Sequence, residues 1–200
     1  MKNLKDILYG VSILEVVGDT SIEVAGIAFD SRKVIKGFCY TAKVGTQVDG
    51  HSFIGKAIED GAVAVLCEKL PEAFVEGVTY IRVANSAEAL GIMASNFYDN
   101  PSSKLKLVGI TGTNGKTTTV TLLHQLFTKL GHHAGLVSTV VNKIGQEEVK
   151  STHTTPDAIQ LNELLVKMVV DGCEFCFMEV SSHAVVQRRV AGTTFAGGGF

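Results

Sequence analysis

One glycine-rich segment, GITGTNGKTTTV, combines the residue types that bind phosphate groups. Gly112 and Gly115 allow the backbone to approach an anion closely, since glycine adopts conformations that other residues avoid. Lys116 can present its positive charge to the outer phosphates of a nucleotide, and the Thr117 hydroxyl can bind magnesium. The segment therefore predicts a nucleotide-binding loop in which Lys116 is a catalytic residue.

The sequence of this loop differs from the general pattern G-x-x-x-x-G-K-[ST], because Ile110 stands where that pattern has its first glycine. The context nevertheless fits a phosphate site. The apolar strand LKLVGI precedes the loop, and the periodicity of an amphipathic helix follows it as far as Gly131. Backbone N–H groups at the start of such a helix point toward an anion, which favours this site over an ordinary turn with an exposed lysine. The predicted apolar face of the helix contains Val120, Leu123, Leu126, Phe127 and Leu130.

Glu179 ends the apolar run FCFMEV and is the predicted second magnesium ligand, together with Thr117. A nucleotide site usually needs such an acidic residue at the end of a strand. The alternative is a glutamate exposed to solvent. Because the residues before Glu179 are apolar, its carboxylate should lie at the mouth of a buried sheet, which favours a metal site and a catalytic role.

The elements that position these residues alternate between strands and helices. Two strands are predicted within residues 22–44, then a helix from Asp49 to about Gly61, and then the strands AVAVLCE and VTYIRVA. A second helix is predicted from Ser86, with the Ser86 side chain as its cap. This order predicts a mostly parallel sheet with helices on both faces and with ligands at the carboxyl ends of its strands.

The later elements continue this alternation. Strand AGLVSTV precedes a helix for which Thr155 is the predicted N-cap and Pro156 the first residue, with Gly172 at its end. Strand EFCFMEV then leads into a short helix that Ser181 or Ser182 can cap, and a last strand follows.

The segment NPSS, which begins at Asn100, is the predicted domain boundary, because the residue before a proline avoids helix and a new apolar strand follows. The predicted fold is α/β. A small N-terminal α/β domain covers residues 1–100, and a doubly wound, mostly parallel sheet domain with the phosphate loop covers residues 101–200. The ending TFAGGGF is typical of a strand that has just started, so we expect the chain to be part of a longer protein.

The composition indicates a globular protein. Hydrophobic residues make up 46% of the 200 residues, and 18 Lys and Arg nearly balance 20 Asp and Glu. We predict a cytoplasmic protein that binds neither nucleic acid nor membrane, because no basic run, signal peptide or long apolar run is present. The four cysteines stand in apolar surroundings that favour buried, reduced thiols, and we interpret the C-x-x-C pair Cys173 and Cys176 as core packing.

Five segments together resemble the Mur ligases. In the second half of the chain these are TGTNGKT, HTTPD and MEVSSHAVVQRR, and in the first half FDSRKVIKG and VGTQVDGHSF. Within that family they are most similar to the type that adds the third residue of the peptidoglycan stem peptide. The family's phosphate loop has the shorter motif found here, with a glycine at position 112 and none at position 110.

The resemblance implies an ATP-dependent amide ligase that uses Mg²⁺. Its substrates would be UDP-N-acetylmuramoyl-L-alanyl-D-glutamate and a diamino acid, either meso-diaminopimelate or L-lysine. A substrate carboxylate would attack the terminal phosphate of ATP, and an amine would open the resulting acyl phosphate. Because both partners of the first step are anions, positive charge and magnesium would align them and reduce their repulsion.

The resemblance also implies residue roles. It assigns residues 1–100 to UDP-sugar binding and residues 101–200 to the first part of the central ATP-binding domain. The residues implied to bind ATP are Gly112, Thr113, Asn114, Gly115, Lys116, Thr117 and Thr118. Those implied to contact the UDP-sugar are Phe29, Ser31, Thr46, Gln47 and Val48, and those implied to hold the muramoyl peptide are Thr154, Thr155, Ser181, Gln187 and Arg189. His153 stands where relatives often carry asparagine.

Two alternatives stay open at this point. Another amide ligase, such as the next Mur ligase or folylpolyglutamate synthetase, would share the ATP site, and a non-catalytic nucleotide-binding module would share the loop alone. We expect a monomer, and no ligase activity from these 200 residues alone, because the family's third domain is not among them. His183 is either a metal-site or a surface residue, and His51 either lines the sugar site or begins a helix.

Overall fold

The computed structural model describes residues 1–45, 48–151 and 154–200. The chain divides into two compact units, Met1–Phe97 and Tyr98–Phe200. Each unit is built on a larger sheet of its own, with five strands in the first unit and six in the second among the described residues.

The elements of the first unit are, in chain order, β1 (Lys2–Asn3), α1 (Leu4–Ile7), β2 (Ile13–Val17), β3 (Glu23–Val24), β4 (Gly26–Ala28), β5 (Phe38–Thr41), α2 (Ile54–Glu59), β6 (Ala64–Cys67), β7 (Thr79–Val83) and α3 (Ser86–Phe97). The sheet has the order β2-β7-β6-β5-β4. Strands β4 to β7 run parallel, and β2 is antiparallel to β7. Strands β1 and β3 form a separate antiparallel pair. Short 3-10 turns lie at Ser31–Lys33 and Gly50–Phe53.

The elements of the second unit are β8 (Lys106–Ile110), α4 (Lys116–Lys129), β9 (Ala134–Val137), β10 (Val141–Ile144), β11 (Glu147–Lys150), α5 (Ala158–Val170), β12 (Phe175–Glu179), α6 (Ser182–Val186) and β13 (Gly197–Gly199), with a 3-10 turn at Pro101–Lys104 before them. The sheet order is β11-β10-β9-β12-β8-β13. Strands β9, β12, β8 and β13 run parallel, which places their carboxyl ends at one edge.

Helices cover both faces of the second sheet, which confirms the predicted α/β arrangement. Phe177 of β12 packs on the face that α4 covers, where Val120 is buried. Met178, the next residue, packs on the opposite face with Leu161 of α5. Because successive side chains of a strand point to opposite faces, a strand covered on both sides needs an unbroken apolar run.

The buried face of α4 differs from the predicted one. Val120 is buried, but Leu126 and Leu130 are 52% and 65% exposed. His124 takes the inner position one turn after Val120, and its Nε2 lies 3.1 Å from the carbonyl oxygen of Ala134. Burial lowers the pKa of His124, so the neutral ring is favoured in the folded chain. A buried histidine whose ring is hydrogen-bonded to the backbone can therefore stand where the sequence pattern predicts only apolar side chains.

The predicted cap of α3 is wrong by one residue. Asn85 caps the helix, since its Oδ1 accepts a hydrogen bond from the Glu88 N–H at 2.9 Å. The Ser86 hydroxyl instead donates to Glu68 Oε1 at 2.7 Å. Both residue types favour N-cap positions, so the sequence pattern alone does not separate two adjacent candidates.

The predicted cap of α5 is also wrong. Asp157 is the N-cap, and its Oδ1 accepts hydrogen bonds from the N–H groups of Ile159 and Gln160 at 3.0 and 2.9 Å. Pro156 therefore lies before the helix, and the Thr155 hydroxyl is used elsewhere. For α6, the sequence left Ser181 and Ser182 as candidate caps, and the structure selects Ser181, whose Oγ accepts a bond of 3.2 Å from the Ala184 N–H.

Three strands of the two larger sheets were not predicted. They are β2 at one edge of the first sheet and the hairpin of β10 and β11 at one edge of the second, and all three pair antiparallel. Edge strands carry mixed polar and apolar residues, so their sequence signal is weak. The hairpin turns at Gly145, whose φ of +56° lies in the region that favours glycine.

All four cysteines are free and buried, which confirms the prediction of reduced thiols in the core. Cys173 and Cys176 belong to the core cluster that α5 covers. None of the helices in residues 1–45, 48–151 and 154–200 combines the length and hydropathy of a membrane span.

Candidate functional site

The site of the second unit lies where three neighbouring parallel strands end. Val137 of β9 pairs with Met178 of β12, and Glu179 pairs with Ile110 of β8. The turn that contains Thr139, the carboxylate of Glu179 and the phosphate loop therefore follow adjacent strand ends. This is the edge at which open α/β sheets bind their ligands.

The phosphate loop has the backbone that its glycines predict. Gly112 and Gly115 have φ values of +132° and +81°, a region that other residues rarely adopt. Gly115 is the N-cap of α4, and among the described residues no side chain caps the first turn. Lys116 Nζ donates to the carbonyl oxygens of Gly112 at 2.7 Å and of Thr113 at 3.3 Å. An uncapped helix start beside an ammonium group suits a phosphate anion.

Glu179 is buried, with 1% of its surface exposed. Its Oε1 accepts a hydrogen bond from the Thr139 N–H at 2.8 Å, and its Oε2 lies 3.3 Å from the Thr139 hydroxyl oxygen. A solvent-exposed glutamate, the alternative considered from the sequence, is therefore excluded. A carboxylate withdrawn from water needs polar partners, and one that still borders a cavity suits a cation.

The segments proposed to hold the muramoyl peptide are tied together by hydrogen bonds. The Thr155 hydroxyl donates to the Glu179 carbonyl at 2.9 Å and accepts from the Ser181 N–H at 3.2 Å. Arg189 Nη1 donates to the Thr155 carbonyl at 2.8 Å. The guanidinium also donates to Gln187 Oε1, from Nε at 3.0 Å and from Nη2 at 2.7 Å. These bonds fix the orientation of Arg189 beside the site.

One cavity of about 520 Å³ joins the phosphate loop, Glu179 and the hydroxyl-bearing residues. Its lining is polar and holds an ammonium, a carboxylate, several hydroxyls and an imidazole. The lining residues are Thr111, Gly112, Thr113, Lys116, Thr117, Thr139, Thr154, Glu179, Ser181, Ser182, His183 and Phe200.

In the first unit, the residues implied to contact the UDP-sugar follow two neighbouring parallel strands. Phe29 and Ser31 follow β4, and Val48, 57% exposed, follows β5. The Lys43 ammonium lies 5.3 Å from the centre of the Phe29 ring. Hydrogen bonds from the Arg32 side chain hold the pKa of Asp30, the residue before Ser31, below its usual value. The two other predicted residues of this group, Thr46 and Gln47, lie outside the described residues.

His51 has a structural role in the first unit. Its Nδ1 lies 2.6 Å from Asp49 Oδ1, and its Nε2 accepts hydrogen bonds from the N–H groups of Glu68 at 2.9 Å and Lys69 at 3.2 Å. The proton of the neutral ring therefore belongs on Nδ1. Through these bonds His51 joins the segment after β5 to the segment after β6.

Two family models match the chain. The Mur ligase middle domain matches residues 110–200, and the catalytic domain of the Mur ligase family matches residues 23–98. The chain belongs to the Mur ligase family. Members of this family are ATP-dependent ligases.

Two curated relatives of this Mur ligase chain have the same name. The chain is 62% identical over 198 residues to UDP-N-acetylmuramoyl-L-alanyl-D-glutamate--2,6-diaminopimelate ligase of Cytophaga hutchinsonii. It is 52% identical over 197 residues to the protein of that name from Phocaeicola vulgatus. Each alignment covers 98% of this chain and 41% of the relative, so the chain spans about two fifths of the length of these relatives.

Solved structures share the fold of this Mur ligase chain. A structure of a UDP-N-acetylmuramoyl-L-alanyl-D-glutamate--2,6-diaminopimelate ligase aligns with 97% of this chain and 39% of its own, at a TM-score of 0.77 and 26% identity. MurF from Acinetobacter baumannii aligns with 90% of this chain and 35% of its own, at a TM-score of 0.60 and 19% identity. The second likeness shows the fold alone.

The structure brings most of the predicted residues of the second unit to one cavity and places the others beside it. Asn114, Gly115 and Thr118 belong to the loop and the first turn of α4 but do not line the cavity. Thr155, Gln187 and Arg189 form the bonded group beside it. His183 is exposed and lines the cavity, whereas His153 lies outside the described residues.

Sequence reasoning missed Thr139 in this Mur ligase chain. The predicted strand AGLVSTV extended through Thr139, whereas β9 ends at Val137. The available signal was a polar residue at the end of a parallel strand. Because the predicted strand was too long, the prediction placed Thr139 within the strand and not after its end.

Proposed function

We propose that this chain provides the UDP-sugar-binding and nucleotide-binding parts of an ATP-dependent ligase. The ligase would join 2,6-diaminopimelate to UDP-N-acetylmuramoyl-L-alanyl-D-glutamate. The observation that carries the proposal is the single cavity in which Lys116 and Thr117 meet Glu179, Thr154 and Ser181. The name of the relatives supports this pair of substrates and favours diaminopimelate over lysine.

The residues present fit ATP and Mg²⁺. The first turn of α4 and the Lys116 ammonium offer N–H donors and positive charge to phosphate oxygens. Thr117 and Glu179 offer a hydroxyl and a carboxylate, and such oxygen ligands are those that Mg²⁺ prefers. When bound, the metal ion would supply positive charge that offsets the repulsion between phosphate and carboxylate groups.

The protein's own groups would act mainly by positioning the reactants. Lys116 would attract the terminal phosphate, and the fixed guanidinium of Arg189 would attract a carboxylate of the muramoyl peptide. The Thr154 and Ser181 hydroxyls line the same cavity and would donate neutral hydrogen bonds to that substrate. Alignment of two anions at short range accounts for a large part of such a reaction's acceleration.

Nucleotide binding is tested by calorimetric titration of ATP with Mg²⁺ into the chain and into two variants. Lys116→Ala should weaken binding by about tenfold or more, because it removes a charge-assisted hydrogen bond to phosphate. Lys129→Ala is the matched control, since Lys129 is an exposed lysine in the last turn of the same helix. Unchanged ATP binding by Lys116→Ala would refute the nucleotide site.

Substrate choice is tested by comparing UDP-N-acetylmuramoyl dipeptide with the corresponding tripeptide. The proposal requires tighter binding of the dipeptide and weaker binding by a Ser31→Ala variant. A preference for the tripeptide would favour the next Mur ligase instead. ATP binding without any UDP-sugar binding would favour a nucleotide-binding module.

The 200 residues alone are expected not to form the amide bond, because they span 41% of the length of the relatives. A coupled phosphate-release assay with all three substrates tests this expectation, and tripeptide formation would contradict it. A monomeric state and a cytoplasmic location stay predictions from the sequence.

A further inference from the structure

Thr139 contacts both carboxylate oxygens of Glu179. Its N–H donates to Oε1 at 2.8 Å, and its hydroxyl oxygen lies 3.3 Å from Oε2. The same hydroxyl oxygen lies 3.0 Å from the hydroxyl oxygen of Thr154. Thr139 therefore stands between the proposed metal ligand and the segment proposed to hold the muramoyl peptide.

The direction of these hydrogen bonds follows from the available protons. The Thr139 hydroxyl has one hydrogen, and an ionised carboxylate accepts but does not donate. A bond to the ionised Glu179 is charge-assisted and stronger than a bond between two hydroxyls. The Thr139 hydroxyl thus donates to Glu179 and accepts from Thr154, which makes a chain of bonds from Thr154 to Glu179.

Buried polar groups hold the turn that carries Thr139. Ser138 is 1% exposed, and its N–H donates to Asn142 Oδ1 at 3.2 Å. The Ser151 hydroxyl donates to the Ser138 carbonyl at 2.7 Å. A turn fixed in this way keeps the Thr139 N–H aimed at the carboxylate, so that the carboxylate has one preferred orientation.

We propose that Thr139 is a positioning residue that orients the Glu179 carboxylate for the metal ion and couples it to Thr154. The inference rests on the proposed function, in which Glu179 binds Mg²⁺. Among the described residues, Thr139 alone takes an acceptor position on each carboxylate oxygen, so the other lone pairs can face a cation. A substrate that draws the Thr154 hydroxyl away would alter the hydrogen bond that Thr139 makes to Glu179, so the peptide and metal sites are coupled.

The test is a titration of Mn²⁺, in place of Mg²⁺, into the chain saturated with a non-hydrolysable ATP analogue, with free Mn²⁺ measured by electron paramagnetic resonance. Thr139→Val keeps the N–H and the shape but removes the hydroxyl, and it should weaken Mn²⁺ binding by about tenfold. Thr139→Ser keeps the hydroxyl and should stay within about threefold of the unaltered chain. Thr128→Val controls for the substitution itself, because the Thr128 hydroxyl bonds to the His124 carbonyl within α4.

The remaining outcomes separate the inference from the proposed function. Unaltered Mn²⁺ affinity in Thr139→Val, or an equal loss in Thr139→Ser, overturns the positioning role. If the unaltered chain binds neither the analogue nor Mn²⁺, the proposed function fails and the inference fails with it. If Thr139→Val does not fold, Thr154→Val decides, since the hydrogen-bond chain requires weaker Mn²⁺ binding there, by about two- to fivefold, and an unchanged affinity contradicts it.

Discussion

Glu179 is buried, and it also lines a polar cavity. Burial makes the charged carboxylate less favourable, whereas a cation bound in the cavity would make it more favourable. A carboxylate with 1% exposure is costly to keep charged, and the two hydrogen bonds from Thr139 offset part of that cost. A bound cation would offset more of it. We therefore expect the residue that the proposed chemistry needs to lower the stability of the ligand-free chain.

The cost of burying the charge and the need for an anionic metal ligand together predict the effect of Glu179→Gln. The variant should bind Mn²⁺ in the presence of an ATP analogue at least about tenfold more weakly, because the anionic ligand is lost. Its urea midpoint should be equal to or higher than that of the unaltered chain, since a buried amide costs less than a buried charge.

Glu174→Gln provides the control for this comparison. Glu174 immediately precedes the same strand, and its side chain is 55% exposed beside His132. Neither the Mn²⁺ affinity nor the urea midpoint should change in this variant. Equal losses of Mn²⁺ affinity in both variants would count against a specific role for Glu179.

His51 joins two segments of the first unit through a ring with both nitrogens engaged. His51→Leu leaves the N–H groups of Glu68 and Lys69 without this acceptor, so the free energy of unfolding should fall by about 1 kcal/mol or more. Urea denaturation checks the loss. His132→Leu, which changes a histidine that is 40% exposed, should have a much smaller effect. A similar loss in both variants would refute the structural role of His51.

At the scale of elements, the start of α2 is fixed by a close backbone approach. A Cβ on Gly50 would lie 2.8 Å from both the N and the O of Lys43, whereas a Cβ on Gly55 would meet no atom within 4 Å. Gly50 also donates to the Lys43 carbonyl at 3.0 Å, and its own carbonyl accepts from the Tyr40 hydroxyl at 2.9 Å. Gly50 therefore closes the segment that joins β5 to α2.

Two alanine substitutions at these glycines should have opposite effects. Gly50→Ala forces backbone atoms apart and should lower the free energy of unfolding by about 1–3 kcal/mol. Gly55→Ala lies inside α2 and should raise it by about 0.5–1 kcal/mol, because alanine loses less conformational freedom in a helix. Urea denaturation of both variants is the measurement, and a loss of equal size at the two positions would contradict the close approach.

At the scale of the whole molecule, buried thiols in both units should make stability depend on pH. Burial raises the pKa of Cys39 to about 12 and of Cys67 to about 11, and it also raises the pKa values of Cys173 and Cys176. Unfolded thiols ionise at about pH 8.5. Above that pH, the folded chain keeps thiol protons that the unfolded chain releases. The contribution of these thiols to the free energy of unfolding is therefore fully present below that pH and is lost as pH rises toward the folded pKa values.

The measurement is the urea midpoint at pH 7.5 and at pH 9.5. The midpoint should be lower at the higher pH, and Cys39→Ala should reduce the difference even though it lowers the midpoint at both pH values. An identical difference in Cys39→Ala and in the unaltered chain would show that this thiol is not responsible.

Sequence and structure agree best where a signal is local. The phosphate loop, the helix that follows it and the apolar strand before Glu179 were all predicted, because turn glycines and strand or helix periodicity act over a few residues. The errors in the predicted helix caps arise where two nearby residues could each cap the helix. Asn85 rather than Ser86 caps α3, and Asp157 rather than Thr155 caps α5, since backbone geometry selects one of two suitable residues.

The sequence by itself determined the chemical types in this protein: a phosphate loop, a strand-end carboxylate and several hydroxyls in an α/β chain of the Mur ligase family. Only the tertiary structure decided which of them meet. Thr139 and Glu179 are separated by 40 positions and come together because β9 and β12 are neighbours in the sheet. Tertiary packing also brings the Thr155 hydroxyl to the backbone carbonyl of Glu179. It buries His124 in the core. Spatial neighbours depend on strand order and helix packing, and no local pattern specifies these.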